Sequence, residues 1–471
     1  MSQTKAQLIA ADATFTISSD ASFNSVTVGK GANSVAGNTV LGEDALDAAV
    51  TGINNTAIGK ESLSANTSGN RNTAVGHKAL PVNTTGVENT AIGEAALFNN
   101  TSGNYNTAVG RVALLSNTTA SNNTAVGLSA LASNTTGASN VAVGANAGDA
   151  ITTGSLNVAV GLQALTVATT SGENTCVGGA AGRYIGSGQQ NTAIGRSAMH
   201  SSISGSTGQM TGDSNVAVGY DSLFDLTTGS DNTGIGTRSL ANTTTGQRNT
   251  AVGRSTLVNN TTANNNTAVG HNSLSANTTG ASNTALGAFA LDANTTSNNN
   301  TAVGFNAFGA NTSGSEGTAI GKSALETNTT GESNTAMGHI ALGNNTSGSN
   351  NVGLGRGALN ANTTADNNTA VGYYSLSGNT TGTDNVGIGF QALDANTTGS
   401  NNTAIGLNCL GANTTAVSNT GIGRNCMVAN TTGQYNTAVG SEALENNVTG
   451  GQSSAFGYKS LENSTGNNNT A

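Results

Sequence analysis

The chain repeats itself every 17 residues, and no other property restricts its fold so strongly. The motif Asn55-Thr56-Ala57-Ile58-Gly59 returns with its glycine at Gly76, Gly93, Gly110, Gly127, Gly144, Gly161, Gly178 and Gly195. It next appears at Gly219, seven residues late, and then keeps step to Gly457. Counted from Gly42, the 471 residues hold 25 copies. The consensus reads N-T-A-V-G-x-x-A-L-x-x-N-T-T-G-x-x, and its positions are slots one to seventeen. A fixed period near 20 residues marks a solenoid, in which each unit buries its apolar side against its neighbours. A helical repeat does not fit, because two glycines and a run of Asn and Thr fill much of each unit. The pattern predicts an all-β protein, a parallel β-solenoid of the β-roll type, with one coil per repeat. Thr-Ala-Val-Gly is expected as one strand and x-x-Ala-Leu as a second. Asn-Thr-Thr-Gly is expected as a turn whose Asn and Gly tolerate positive φ.

The slots divide by size. Slot four is bulky and apolar (Ile58, Val75, Ile92, Val109), and slot nine is mostly leucine (Leu63, Leu80, Leu97). These residues are the expected core stack. Slot three is small (Ala57, Ala74, Ala91, Ala108), with Val40 as the exception in the first copy. Neighbours on a strand face opposite ways, so slots three and four make both faces apolar. A half-buried strand alternates apolar with polar residues. The two apolar faces therefore imply that something covers the outer one. A second copy of the chain is the expected cover. The small slot-three residues, with Gly59, Gly76, Gly93 and Gly110 of slot five, would then line a three-fold axis. The competing reading is that slot three faces a narrow corner of its own coil. Slot five is glycine in all 25 copies, so either φ is positive there or no Cβ fits. Slot one is asparagine in all but two, Gly317 and Ser453. Asn55, Asn72, Asn89 and Asn106 are expected to stack as an amide ladder.

Composition narrows the function. Charged residues are 8%, aromatics 3%, tryptophan is absent and Pro81 is the one proline. Collagen is excluded, since it needs glycine at every third residue and abundant proline. No apolar run is long enough for a membrane-spanning helix. A net charge of −9 argues against a nucleic-acid surface. Three cysteines do not make a disulfide framework. Cys409 and Cys426 share slot eight and Cys176 sits at slot three, as small apolar fillers. His77, His271 and His339 share slot six but lie at least four coils apart, too far to share a metal. Cations recur at slot six (Lys60, Arg111, Arg196, Arg254, Lys322, Arg356, Arg424). Acids recur at slot ten (Asp47, Asp149, Asp292, Glu326, Asp394, Glu445, Glu462). They read as solvated faces with room for ion pairs between chains. Glycan cleavage needs paired carboxylates in an aromatic groove, which the scattered acids do not provide. The expectation is no enzyme, no cofactor and no metal. Ice binding needs a flat threonine face, and slots thirteen and fourteen, in a turn, do not present one.

Four segments follow. Residues 1–37 form a non-repeating head. Within it Thr14–Ser18 alternates like a strand and Phe23 to Val28 offers another. Residues 38–195 are repeats, 196–214 are the coil with a seven-residue insertion, and 215–471 are repeats again. The middle of the array departs from consensus, with Gly148 and Gly182 at slot nine and Ile151, Ala168 and Ile185 at slot twelve. This reads as drift, or as a hinge or docking point. The last turn is one residue short and the chain stops inside a motif at Asn469-Thr470-Ala471, an ending that implies a longer polypeptide. Met1-Ser2-Gln3-Thr4-Lys5 opens no apolar signal core, so synthesis in a cytoplasm is expected.

The tandem Asn-Thr-Ala-Val-Gly-x-x-Ala-Leu-x-x-Asn-Thr-Thr-Gly block resembles the repeats of bacteriophage tail-fibre proteins, especially those of cyanophages. The opening Met1-Ser2-Gln3-Thr4-Lys5-Ala6-Gln7-Leu8-Ile9 is similar to the N-termini of such fibres. The Asn-x-Ala-Val/Ile-Gly core is also similar to the head repeat of trimeric autotransporter adhesins, a left-handed parallel β-roll with a shorter repeat. The fibre resemblance implies a homotrimeric shaft in a virion. Its head, with Phe15, Ile17 and Phe23 as attachment candidates, would dock on a tail, baseplate or adaptor protein. Its distal end would meet a host cell-surface receptor, with neither nucleic acid nor membrane insertion involved. The adhesin resemblance implies a bacterial surface rod and a left-handed coil.

Overall fold

The structure, a computed structural model, describes residues 20–201 and 209–471. Phe15, Ile17 and residues 202–208 of the insertion lie outside the described residues. The chain forms two compact units. The first runs to Ser197 and takes in Gln209–Thr211, and the second takes in 198–201 and Gly212–Ala471.

The first unit opens with a hairpin, β1 (Ala21–Phe23) and β2 (Val26–Gly29). Its two-residue turn places Asn24 and Ser25 at φ of 49° and 68°, the geometry that matches the twist of paired strands. β2 then pairs antiparallel with β3 (Thr39–Gly42), and β3 pairs parallel with β4 (Thr56–Ile58). The hairpin therefore occupies the edge that the first coil would otherwise expose. From β4 to β12 (Thr192–Ile194) the strands stack in parallel, each residue opposite the one 17 positions on, as in Ala57 against Ala74. The second unit repeats this from β13 (Val216–Val218) to β27 (Ser454–Phe456). Beyond β27, Ser454 bridges Thr470 in parallel, and the Phe456 N–H donates to the Ala471 carbonyl at 2.9 Å. The fold is thus a parallel β-solenoid built on the sequence period.

Each coil has one strand, slots two to four, and not the two expected. The segment x-x-Ala-Leu is a turn with positive φ at slots seven and nine, as at Glu61 (57°) and Leu63 (52°). On a strand, slots eight and nine would face opposite ways. The left-handed residues curl the chain so that Ser62 and Leu63 are both fully buried. A leucine in this region costs about 1–2 kcal/mol, which burial of its side chain, about 1.5–3 kcal/mol, offsets. The Asn-Thr-Thr-Gly turn also differs from expectation, because its positive φ falls on slot seventeen (Arg71, 56°), not on its Asn or Gly. Slot five meets both conditions set for it. Gly76 has φ of 137°, and a Cβ there would lie 2.6 Å from the Gly93 carbonyl oxygen of the next coil. Gly59, Gly93 and Gly110 are held the same way, so their own chain explains them without an axis.

The two faces of the strand are the reverse of expectation. Ala57, Ala74, Ala91 and Ala108 point inward and are fully buried. Ile58, Val75, Ile92 and Val109, read from sequence as a core stack, lie on the outer face, with Ile92 40% exposed. Every solenoid strand from β4 to β27 shows the same pattern, its middle residue buried and its flanks not. Slot three is small because it faces slot eight across a narrow corner of its own coil. At Gly234 a Cβ would sit 2.8 Å from Ser222 Oγ, and at Gly421 it would sit 2.7 Å from Cys409 Sγ. Leu63, Leu80 and Leu97 of slot nine are buried as expected and fill the centre.

The irregular coils are size exchanges. Where Gly148 replaces leucine at slot nine, Ile151 replaces asparagine at slot twelve, and a Cβ on Gly148 would lie 3.0 Å from Ile151 Cδ1. Gly182 and Ile185 repeat the exchange, with 2.9 Å to Ile185 Cδ1. Phe308 at slot nine is fully buried, and a Cβ on the slot-one exception Gly317 would meet its ring. At these three places each departure is paired with a second that compensates its size, whereas Ala168 at slot twelve stands beside the consensus Leu165 and has no such partner.

Candidate functional surface

The interior is tied by two asparagine ladders. At slot one, Asn72, Asn89 and Asn106 each donate their backbone N–H to Oδ1 of the preceding coil's asparagine at 2.9–3.0 Å, beginning with Asn72 onto Asn55. Their Nδ2 groups donate to slot-fifteen carbonyls, as Asn89 does to Gly103 at 2.8 Å. A second ladder runs at slot twelve, where Asn83 Nδ2 donates to Asn66 Oδ1 at 2.9 Å and Asn100 repeats it onto Asn83. Sequence reasoning missed this one, although asparagine recurs at slot twelve in most copies. The ladder halts where Ile151 follows Asn134, and Asn134 Oδ1 is left buried without a hydrogen-bond partner. At Gly317 only the backbone link survives, its N–H donating to Asn300 Oδ1 at 2.8 Å. These groups are buried and serve the stack, not a ligand.

The surface is set by the outward strand face. In both units slot two, mostly threonine, and slot four, aliphatic, form two adjacent columns. Leu286 is 48% exposed, and Ile235, Ile405 and Ile422 between 37% and 40%. Slot-thirteen threonines are engaged elsewhere, as Thr84 Oγ1 donates to the Thr101 carbonyl at 3.1 Å. Of the attachment candidates, Phe23 lies in β1, and Phe15 and Ile17 are outside the described residues.

Charges pair along the chain. Lys60 meets Glu43 at 3.1 Å, Lys78 meets Glu61 at 3.5 Å and Arg111 meets Glu94 at 3.2 Å, each one coil apart at a shared slot. Glu442 is bonded by Arg424 and Lys459, and Lys459 also meets Glu462 at 2.9 Å. The carboxylates of Glu442, Glu445 and Glu462 come within 4.8 Å of one another, but two of the three are already matched by cations. At slot ten, partial burial pushes the carboxyls of Asp149, Asp292 and Asp394 above their ordinary value. The three cysteines are free and buried. Burial pushes the Cys176 thiol up to about 12. In the second unit, rings stack from coil to coil at the rim of the strand face. Tyr373 lies parallel to Phe390 at 5.3 Å, and Arg356 lies 5.9 Å from the Tyr373 ring. Among the described residues no helix is long and apolar enough to cross a membrane.

The class defined by these features is the β-solenoid repeat protein, with an interior tied by asparagine ladders and an apolar outer column. No protein-family model matches the chain, and no curated protein matches it in sequence.

Proposed function

We propose that the chain is the shaft of a bacteriophage tail fibre. It associates with copies of itself as a homotrimer, docks on the virion tail through its N-terminal head and projects a tip toward a host receptor. The carrying observation is the slot-four column, aliphatic in coil after coil of both units and facing outward. A contiguous apolar patch of this kind marks an interaction surface, and a repeating surface is matched best by another copy with the same repeat. The trimeric state and the viral setting rest on the resemblance of the repeat and the N-terminus. The role is mechanical: a stiff shaft presents several tips whose weak contacts add by avidity. The test is the solution mass of the full chain by light scattering. A value near three times 46.0 kDa is expected, and a monomer would overturn the shaft. Antibodies against the chain should label virion tails. Labelling of a bacterial surface instead would favour the adhesin reading.

A second reading has one observation behind it. The outer face sets a threonine row at slot two beside the aliphatic row at slot four, on a strand and not in the turn that holds slots thirteen and fourteen. Thermal hysteresis from a monomeric chain would move the assignment to ice binding.

A further inference from the structure

The strand face of the second unit is electrically lopsided. On the side where the chain enters the strand, slots sixteen and seventeen carry Asp213, Asp231, Glu316, Glu332, Asp366 and Asp384, against one cation, Arg248. All but Asp366 are exposed. On the side where the chain leaves it, slot six carries Arg254, Lys322, Arg356 and Arg424, all exposed, and no acid in this unit. Among the described residues Arg254, Lys322 and Arg356 form no ion pair, whereas Arg424 is paired with Glu442. Between the two edges runs the exposed aliphatic column of slot four.

We propose that this face is a docking surface for a second copy of the chain and that its two unlike edges impose a parallel alignment. The proposal rests on the self-association reading and adds the geometry. Rotating a copy about the stacking direction of the coils brings its acidic edge to the neighbour's basic edge. Turning a copy end for end brings acid to acid and base to base. Like charges juxtaposed across an interface select against the wrong partner. The apolar column supplies the affinity through area removed from water. The exposed pairs are individually weak, so their office is orientation. Copies so aligned also match coil for coil, because the period is the same in each.

The experiment uses the full chain. Light scattering comes first, and a monomer overturns the self-association reading and this proposal together. Ile235→Cys and Ile422→Cys then place single surface thiols on slot four near either end of the unit, where the native residues are exposed and the three native thiols are buried. In a parallel assembly each variant cross-links to itself under mild oxidation, and mixing the two gives no hybrid. Hybrid cross-links, or none at all in a multimer, overturn the parallel docking while leaving self-association standing. As a second arm, Arg254→Glu, Lys322→Glu and Arg356→Glu together should weaken association about tenfold at low salt. Adding Asp231→Lys, Glu316→Lys and Glu332→Lys should restore it, since the edges are again complementary. Failure of the second set to restore assembly counts against the edges as the orienting device.

Discussion

A single asparagine in this chain joins three coils. Asn89 takes the Asn106 backbone N–H on its Oδ1 and donates from Nδ2 to the Gly103 carbonyl, while its own N–H reaches back to Asn72. Because the site is dry, removing the amide strands its partners, at about 1–3 kcal/mol for each buried group left unpaired. Asn89→Ala should therefore lower stability by about 2–4 kcal/mol, read by chemical denaturation, with exposed Thr85→Ala as the near-neutral control. Asp394 offers the opposite sign. Burial raises its carboxyl above the ordinary 3.8, so its ionised form costs stability at pH 7. That cost fades as pH falls through the raised value toward 3.8. Asp394→Asn should raise the melting temperature at pH 7, and the difference should vanish once both states are protonated. A constant difference across that range would show that the carboxyl is not under strain from burial.

The coil is the unit in which volume is conserved. Gly148 and Ile151 replace the consensus leucine and asparagine together, and either reversal alone conflicts with the other. Gly148→Leu pushes side-chain atoms into Ile151 and Leu131, both within 3.2 Å of a Cβ there. Ile151→Asn alone leaves the volume of the missing leucine empty. The double change refills the coil and gives Asn134 Oδ1 the donor it lacks. A double-mutant cycle should show favourable coupling of about 1–3 kcal/mol, and simple additivity would contradict the exchange. The cysteines probe the same packing. Cys176, Cys409 and Cys426 are fully buried, and thiolate, not thiol, is the nucleophile. A thiol reagent at pH 8 should modify none of them in the folded chain and all of them in denaturant.

Inside and outside of the solenoid can be separated by paired substitutions in one coil. Ile405 is 37% exposed at slot four, whereas Leu410 is fully buried at slot nine. Ile405→Lys should leave the circular dichroism of the chain unchanged and reduce its solution mass toward 46.0 kDa. Leu410→Lys should damage the fold itself, since a buried unpaired charge is not tolerated. If both variants remain assembled, slot four is not the contact between copies. The capping hairpin covers the edge strand β3, and without it that edge would be free to pair with other chains.

The period, the parallel stacking, the glycine at slot five and the asparagine ladder at slot one were all legible in the order of residues alone. Each follows from a local requirement repeated in register: a backbone angle, a close carbonyl, an amide that can bond to its own copy one coil away. The same order also marked slot nine as core, since leucine stands there against small or polar neighbours. It could not determine which face of the strand looks inward. Slots three and four are both apolar, and a period of two carries no sign when both faces are apolar. Closure of the coil decided it. The turn after slot five brings slot eight back against slot three, and only alanine, glycine or cysteine fits that gap through most of the stack. The larger slot-four residues are thereby turned out. The same closure made a turn of the expected second strand and made paired exchanges of Gly148 with Ile151 and of Gly182 with Ile185, because volume is shared among residues distant along the coil.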